Sequence, residues 1–309
     1  MATNDVSIDV RDWSLLGLLS ILWGGSFFFN GVILQELPPF TLVFLRVTLA
    51  SIVLLPLLLT YRIGFPKGSR GWLPFVAIGL FNNVLPFSLI VIGQTYIPGG
   101  LASILNATTP LFTIVVMALA GEERLHARRV AGIAAGLIGV IVLEGGGSKG
   151  AAFDAGQTIG ILLCLAAAFS YGLSALVARR LLSNSPALAT ATFQMLASTA
   201  MMTLVAGIIE RPWRLPMPGA ATWLAVIGLA ALSTALAYIV FFQILRRSGA
   251  TNVMLVTLLI PVTAILLGYL VLGEAISPRE IVGALVIGSA LLLIDGRVIE
   301  FFRRRPVTR

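Results

Sequence analysis

Charge is what this sequence has least of. Asp, Glu, Lys and Arg make up 11% of its 309 residues, against about 25% in soluble globular domains, and 58% are hydrophobic. That balance excludes a water-soluble fold and reads as an all-α polytopic membrane protein. There is one histidine, His126, in a loop, and one cysteine, Cys164, inside an apolar run. An internal disulfide is therefore excluded, as is a His/Cys metal site, and no HExxH pair is present. No carboxylate lies deep in an apolar run: all 13 fall in loops or within about a turn of a run's end. The first nine residues are acidic and not basic, unlike the start of a cleaved signal peptide, so the first apolar run is expected to stay in the mature protein.

What is present is a succession of apolar runs, each near the roughly 20 residues that span a bilayer. Ten can be marked, at 13–33, 40–59, 72–93, 98–118, 129–143, 156–177, 187–208, 221–244, 249–270 and 280–294. The fifth and tenth are short for a full crossing. Connections are brief and turn-rich, so consecutive helices are expected to run antiparallel. The net charge of +8 does not point to nucleic acid once the cations are placed. Sixteen Lys and Arg fall on the side of the two termini, four (Lys149, Arg211, Arg214, Arg279) on the other, and Arg46 lies within a span. The excess of positive charge marks the cytoplasmic side, which predicts both termini there, in the cell (inner) membrane.

The run at 98–118 carries Ser103, Asn106, Thr108, Thr109 and a central Pro110, and it has a twin 151 residues later with Pro261. The same offset superposes Trp72 on Trp223, Glu123 on Glu274 and Gly132 on Gly283. The chain is thus two copies of one unit, 13–145 and 156–296, followed by a basic tail at 297–309. Five spans per copy is an odd number, so the second copy enters the membrane from the opposite side. Ten helices in two inverted five-helix repeats are the expected architecture, one from which many transporters build alternating access.

LWGGSFF at 22–28, PPFTLVFLRVTLA at 38–50, GEERL at 121–125 and LGEAISPREIVGALVIG at 272–288 resemble, as an ordered set, the drug/metabolite transporter superfamily. Within it the chain is similar to the ten-helix exporters with two EamA-type repeats, and in overall pattern to their aromatic amino-acid exporter branch. The resemblance implies two halves around a central pathway and the export of amino acids, other metabolites or drugs.

Several polar and aromatic residues share helix faces inside the spans. Asn83 and Phe87 lie on one face of the third span, and Tyr238 is the counterpart of Phe87 in the second copy. Trp23, Ser26 and Asn30 share a face of the first span beside Gly24-Gly25, and Tyr171 and Ser174 share a face of the sixth. Asn106 and Thr257 each stand four residues before a central proline, where a carbonyl is freed. As cavity wall, these ten residues would hydrogen-bond a polar head and hold an apolar body. As packing, they would be polar glue between helices. Pro110 and Pro261 are read as a pair of hinges. Arg46 could grip a carboxylate bidentately, but the favoured reading is structural, with the side chain reaching outward to Glu36, Glu274 or exposed carbonyls. Gly132 and Gly136, echoed by Ala284 and Gly288, are read as helix-packing positions.

The expected function is a secondary transporter exporting small neutral or zwitterionic metabolites, with amino acids favoured. Its expected partners are a small-molecule substrate and the lipid bilayer, with no nucleic acid, cofactor or metal, as a monomer or homodimer. A passive uniporter or a multidrug exporter of the same fold is the alternative. An intramembrane enzyme would need a partner histidine for Ser174 or paired carboxylates, and a channel would need a filter or a charged ring; neither is found in the sequence.

Overall fold

Prolines and short loops set where the helices begin. A computed structural model describes residues 10–123, 126–144, 155–241, 243–244, 247 and 255–295. Among them are ten helices, taking those continued by a tight or wide turn as one: α1 (Val10–Ile33), α2 (Pro39–Thr60), α3 (Gly68–Gly93), α4 (Gly99–Leu119), α5 (Ala127–Glu144), α6 (Ala155–Leu181), α7 (Ala187–Ile209), α8 (Ala220–Phe241), α9 (Val256–Leu272) and α10 (Pro278–Asp295). Pro39 and Pro278 occupy first helical positions, where the missing N–H is no loss. At α10 the sequence Ser277-Pro-Arg-Glu280 closes a capping box: Ser277 N–H donates to Glu280 at 3.1 Å and Glu280 N–H to the Ser277 hydroxyl at 3.2 Å. Seven helices are long and apolar enough to cross a membrane by themselves. The other three, α5, α9 and α10, are shorter or carry charge near their ends. The linker at 145–150, the chain at 249–254 and the tail at 297–309 lie outside the described residues.

Packing follows the repeat. Helices α1 and α8 meet, and so do their counterparts α6 and α3; α1 packs on α9 as α6 packs on α4; α2 packs on α8 as α7 packs on α3. Three counterpart pairs, α2 with α7, α4 with α9 and α5 with α10, pack on each other. The pattern maps onto itself when the two copies are exchanged, as an inverted repeat requires, and its principal contacts run between copies. Each five-helix copy therefore completes its buried surface only against the other. Apolar side chains on the outer faces, such as Ile52, Leu162, Leu224 and Leu285, are exposed, as expected for surface that meets lipid.

The α5–α10 crossing is close, but not through all of the small residues expected. A Cβ on Gly139 would meet Ile287 Cγ1 at 2.7 Å, and one on Gly283 would meet the Leu143 side chain. Gly136 instead faces Leu111 of α4, and Gly288 faces open space.

The carboxylates kept out of the spans tie the copies together at both ends. At the end away from the termini, Glu36 accepts from Gly219 N–H (2.6 Å), Glu210 from Phe40 N–H, Thr41 N–H and the Thr41 hydroxyl (2.9, 2.6 and 2.7 Å), and Glu274 from Gly99 and Gly100 N–H (3.1 and 3.3 Å). Each of these sits at a helix start, where unpaired N–H groups and the helix dipole favour an anion. At the other end Asp12 pairs with Arg247 at 3.2 Å and Glu122 with Arg180 at 2.8 Å. The hydrogen bond from Arg180 holds the Glu122 carboxyl below the usual carboxylate range, so this tie is present above the ordinary glutamate pKa and is lost as pH falls through the lowered one.

Candidate substrate site at the repeat interface

Two helices widen at matching places. Leu80–Val84 of α3 and Ala231–Leu236 of α8 are π-helical, and the 151-residue offset lays one on the other. Such turns leave carbonyls outside the regular ladder and often mark functional positions. Asn82 and Asn83 sit on the first, Ser233 and Thr234 on the second. Hydroxyls of neighbouring helices bond carbonyls at the first turn: Ser170 donates to Phe81 O at 2.8 Å and Ser198 to Gly79 O at 3.2 Å.

A polar network grows from these turns across five helices. Asn82 Nδ2 donates to Gln194 Oε1 at 3.1 Å and to the Tyr238 hydroxyl at 3.0 Å, and its Oδ1 accepts from Ser174 at 3.1 Å. Asn83, fully buried, donates to Ser198 at 3.0 Å and accepts from Tyr238 at 3.4 Å. Arg46 enters from α2. Its Nε donates to Thr234 Oγ1 at 3.1 Å, and its guanidinium carbon lies 3.6 Å from the Phe87 ring centroid, a cation–π contact. The hydroxyls of Tyr171 and Tyr238 lie within its electrostatic reach. Arg46 is 6% exposed.

That placement corrects the expected geometry of Arg46, which does not reach outward. Glu36 and Glu274 are engaged with helix starts, while the short run from Pro39 puts residue 46 two turns inside the bundle, against Thr234 of α8.

Of the ten residues expected to line a cavity, Asn83, Phe87, Tyr171, Ser174 and Tyr238 come together here: Asn83 meets Tyr238, Phe87 meets Arg46, Ser174 joins through Asn82, and Tyr171 stands within the electrostatic reach of Arg46. Three of the other five, Trp23, Ser26 and Asn30, are engaged elsewhere. Ser26 turns back to Trp23 O at 2.6 Å, and Trp23 packs on Phe241 with ring centroids 5.5 Å apart. Asn30 donates to Gln94 Oε1 at 2.8 Å, and Gln94 in turn donates to Phe27 O at 3.0 Å, near the end of the bundle away from the termini. Thr257 is half-buried on the first turn of α9. Asn106 ends the first half of α4, and its Oδ1 is buried with no hydrogen-bond partner among the described residues.

The two prolines differ. α4 is interrupted at Ala107-Thr108, between Gly99–Asn106 and Thr109–Leu119, as the ring of Pro110 demands. Pro261 sits within the described helix Val256–Leu267, which runs on without a break at the proline. Pro261 falls in the second turn of the described helix, where few carbonyls precede it.

Gln194, Asn82 and Ser198 were not among the residues singled out from sequence. A signal was there: Gln194 is a glutamine inside an apolar span, and Asn82 adjoins Asn83. On a regular helix two adjacent residues point about 100° apart; the π turn lets both join one network.

The profile of the EamA-like transporter family matches residues 12–144 and 158–295. The chain belongs to that family. Its members are transporters of the drug/metabolite superfamily and not enzymes, and the ten-helix, two-repeat fold is theirs. The chain is similar to the probable amino-acid metabolite efflux pump of Escherichia coli (strain K12), 27% identical over 92% of this chain and 94% of that one. It is likewise similar to the uncharacterised transporter YoaV of Bacillus subtilis (22%, 94% and 98%) and to the uncharacterised inner membrane transporter YedA of E. coli K12 (27%, 89% and 88%). One crystal structure of a protein overlays with a TM-score of 0.67 and 22% identity, covering 96% of this transporter and 100% of that chain, which speaks to the fold. Two apolar hollows lie elsewhere on the transporter, about 320 Å³ between α5 and α10 and about 270 Å³ among α4, α5 and α6. Neither includes a residue of the central network.

Proposed function

We propose that this transporter exports small neutral or zwitterionic metabolites, amino acids first among them, from the cytoplasm across the inner membrane. In this reading both termini are cytoplasmic and the two repeats rock about the network at their interface. The observation that carries it is the pair of repeat-related π turns, which set Asn82, Asn83 and Thr234 where helices of both copies meet. Polar groups held inside a bundle by neighbours from both halves are the makeup of a midplane site that alternately opens to each side. The names of the efflux-pump relatives support amino acids as the class. In an open state the bonds among Asn82, Gln194, Ser174 and Tyr238 are exchanged for bonds to the cargo, while the carboxylate ties release at one end at a time.

A passive facilitator is the second reading. It is favoured by one feature: among the described residues, no carboxylate or histidine joins the central network, and proton-driven carriers generally keep such a group inside. Counterflow in proteoliposomes with a panel of labelled amino acids, with and without an imposed pH gradient, tests both. Exchange of labelled for unlabelled solute is expected with amino acids. Accumulation driven by the gradient identifies a coupled exporter, exchange without accumulation a facilitator, and the lack of any exchange contradicts the transport of amino acids.

Pro110 is proposed as the hinge of α4. Since, among the described residues, α4 is broken beside Pro110 and the helix holding Pro261 is not, Pro110→Ala is expected to slow counterflow several-fold at equal amounts of folded protein, and Pro261→Ala to slow it less. Parental rates in both variants would remove the hinge.

A further inference from the structure

Arg46 is a buried cation that no described carboxylate meets. It presents five N–H donors, yet one hydrogen bond, from Nε to Thr234, is all it makes to the described residues, with the Phe87 ring covering one face of the guanidinium. The carboxylates that the structure describes in contacts are committed at the two ends of the bundle, Glu36, Glu210, Glu274 and Glu280 to helix starts and Asp12, Glu122 and Glu123 to arginines. The groups around Arg46 are neutral: Thr234, Tyr171 and Tyr238, with Asn82, Asn83 and Gln194 behind them. Keeping a charge in such surroundings is costly unless it is paired for part of the cycle.

We infer that Arg46 is the receptor for a carboxylate on the cargo, so that the substrate class is carboxylate-bearing solutes. With Nε used and one face covered, the edge bearing the two terminal nitrogens is left, and that fork matches the two oxygens of a carboxylate. The neutral side-chain oxygens of Asn82 and Gln194, in the network that also holds Tyr238, are suited to a cargo ammonium group, which fits a zwitterion. A cargo with no carboxylate leaves the guanidinium unpaired and binds more weakly. This inference rests on the transporter reading and specifies what its central site recognises.

The test uses the purified full chain and matched solutes: phenylalanine, leucine and threonine, each beside its amide, with 3-phenylpropionate as an acid lacking the amine. Ligand-induced thermal stabilisation reports binding without transport, and counterflow reports transport. At least one acid is expected to stabilise the protein at a concentration ten times lower than its amide does. Arg46→Gln is expected to remove that preference and Arg46→Lys to keep part of it. The acid–amide comparison on the parent protein needs no variant, so a folding defect in Arg46→Gln leaves the test intact. Equal stabilisation by acid and amide, no stabilisation by any acid, or an acid preference that survives in folded Arg46→Gln overturns the inference. The two readings separate: acid-selective binding without counterflow keeps the carboxylate site and contradicts transport, whereas counterflow of amides as fast as acids keeps transport and contradicts the carboxylate site.

Discussion

Asn83→Leu is expected to reduce counterflow at least tenfold and to lower the stability of the folded protein. Asn83 is fully buried and holds Ser198 at 3.0 Å and Tyr238 at 3.4 Å. Leucine is close to it in size, so the bundle keeps its packing. What changes is that a Ser198 lone pair and the Tyr238 hydroxyl lose a partner, at about 1–3 kcal/mol for each buried group left unmet. Tyr238 also bonds Asn82, so the loss spreads to the network proposed to meet the cargo. Ser88→Ala is the matched control on the same helix. Among the described residues its hydroxyl has only a sulfur contact, to Met202 at 4.0 Å, and the variant should transport like the parent. Counterflow and thermal unfolding of the two variants side by side decide the matter. Equal behaviour would mean that the Asn83 bonds are dispensable.

Gly24→Val should cost the most folded protein of any single change proposed. Gly24 lies where α1 crosses α9, beside the Pro261 segment. A Cβ there would stand 2.7 Å from Thr263 Cβ, 3.0 Å from Ile260 O and 3.1 Å from Ala264 N. Two of those three atoms are backbone, so the strain cannot be relieved by rotating a side chain. The helices must separate, and overpacking of this kind costs about 1–3 kcal/mol or more. Gly24→Ala should lose some folded protein and Gly24→Val most of it, read as monodisperse yield after extraction in a mild detergent. A normal yield of Gly24→Val would show that α1 and α9 do not approach this closely.

The architecture was legible because the membrane writes it in coarse symbols. Apolar run length, short loops and the 151-residue echo lead to ten helices in two copies, and cation placement leads to an orientation. The individual site residues were less legible. The spacing of Asn83 and Phe87 on one face is a helix period, and both reach the network. Trp23, Ser26 and Asn30 share a face by the same period, yet each is engaged within or near α1, because periodicity says which residues align and not what stands opposite. Asn82 was hidden by the assumption of a regular helix, which the π turn at Leu80–Val84 breaks. Arg46 was misplaced because its partner could not be known from the sequence. Nearby glutamates looked available, but the unpaired N–H groups at helix starts claim them.

Cargo is proposed to bind in the polar network that Asn82 and Asn83 of the first π turn share with Tyr238 of α8. Asn82 is the half-buried member of that pair, bonded to Gln194, Tyr238 and Ser174. Its replacement by cysteine reports on the site directly, because the native Cys164 is fully buried. The measurement is the rate at which Asn82→Cys protein in proteoliposomes reacts with a small water-soluble thiol reagent, with and without the amino acids that show counterflow. Measurable labelling, slowed several-fold by transported amino acids and unaffected by those not transported, is the predicted result. No labelling at all, or labelling indifferent to every amino acid, would contradict the placement of the site.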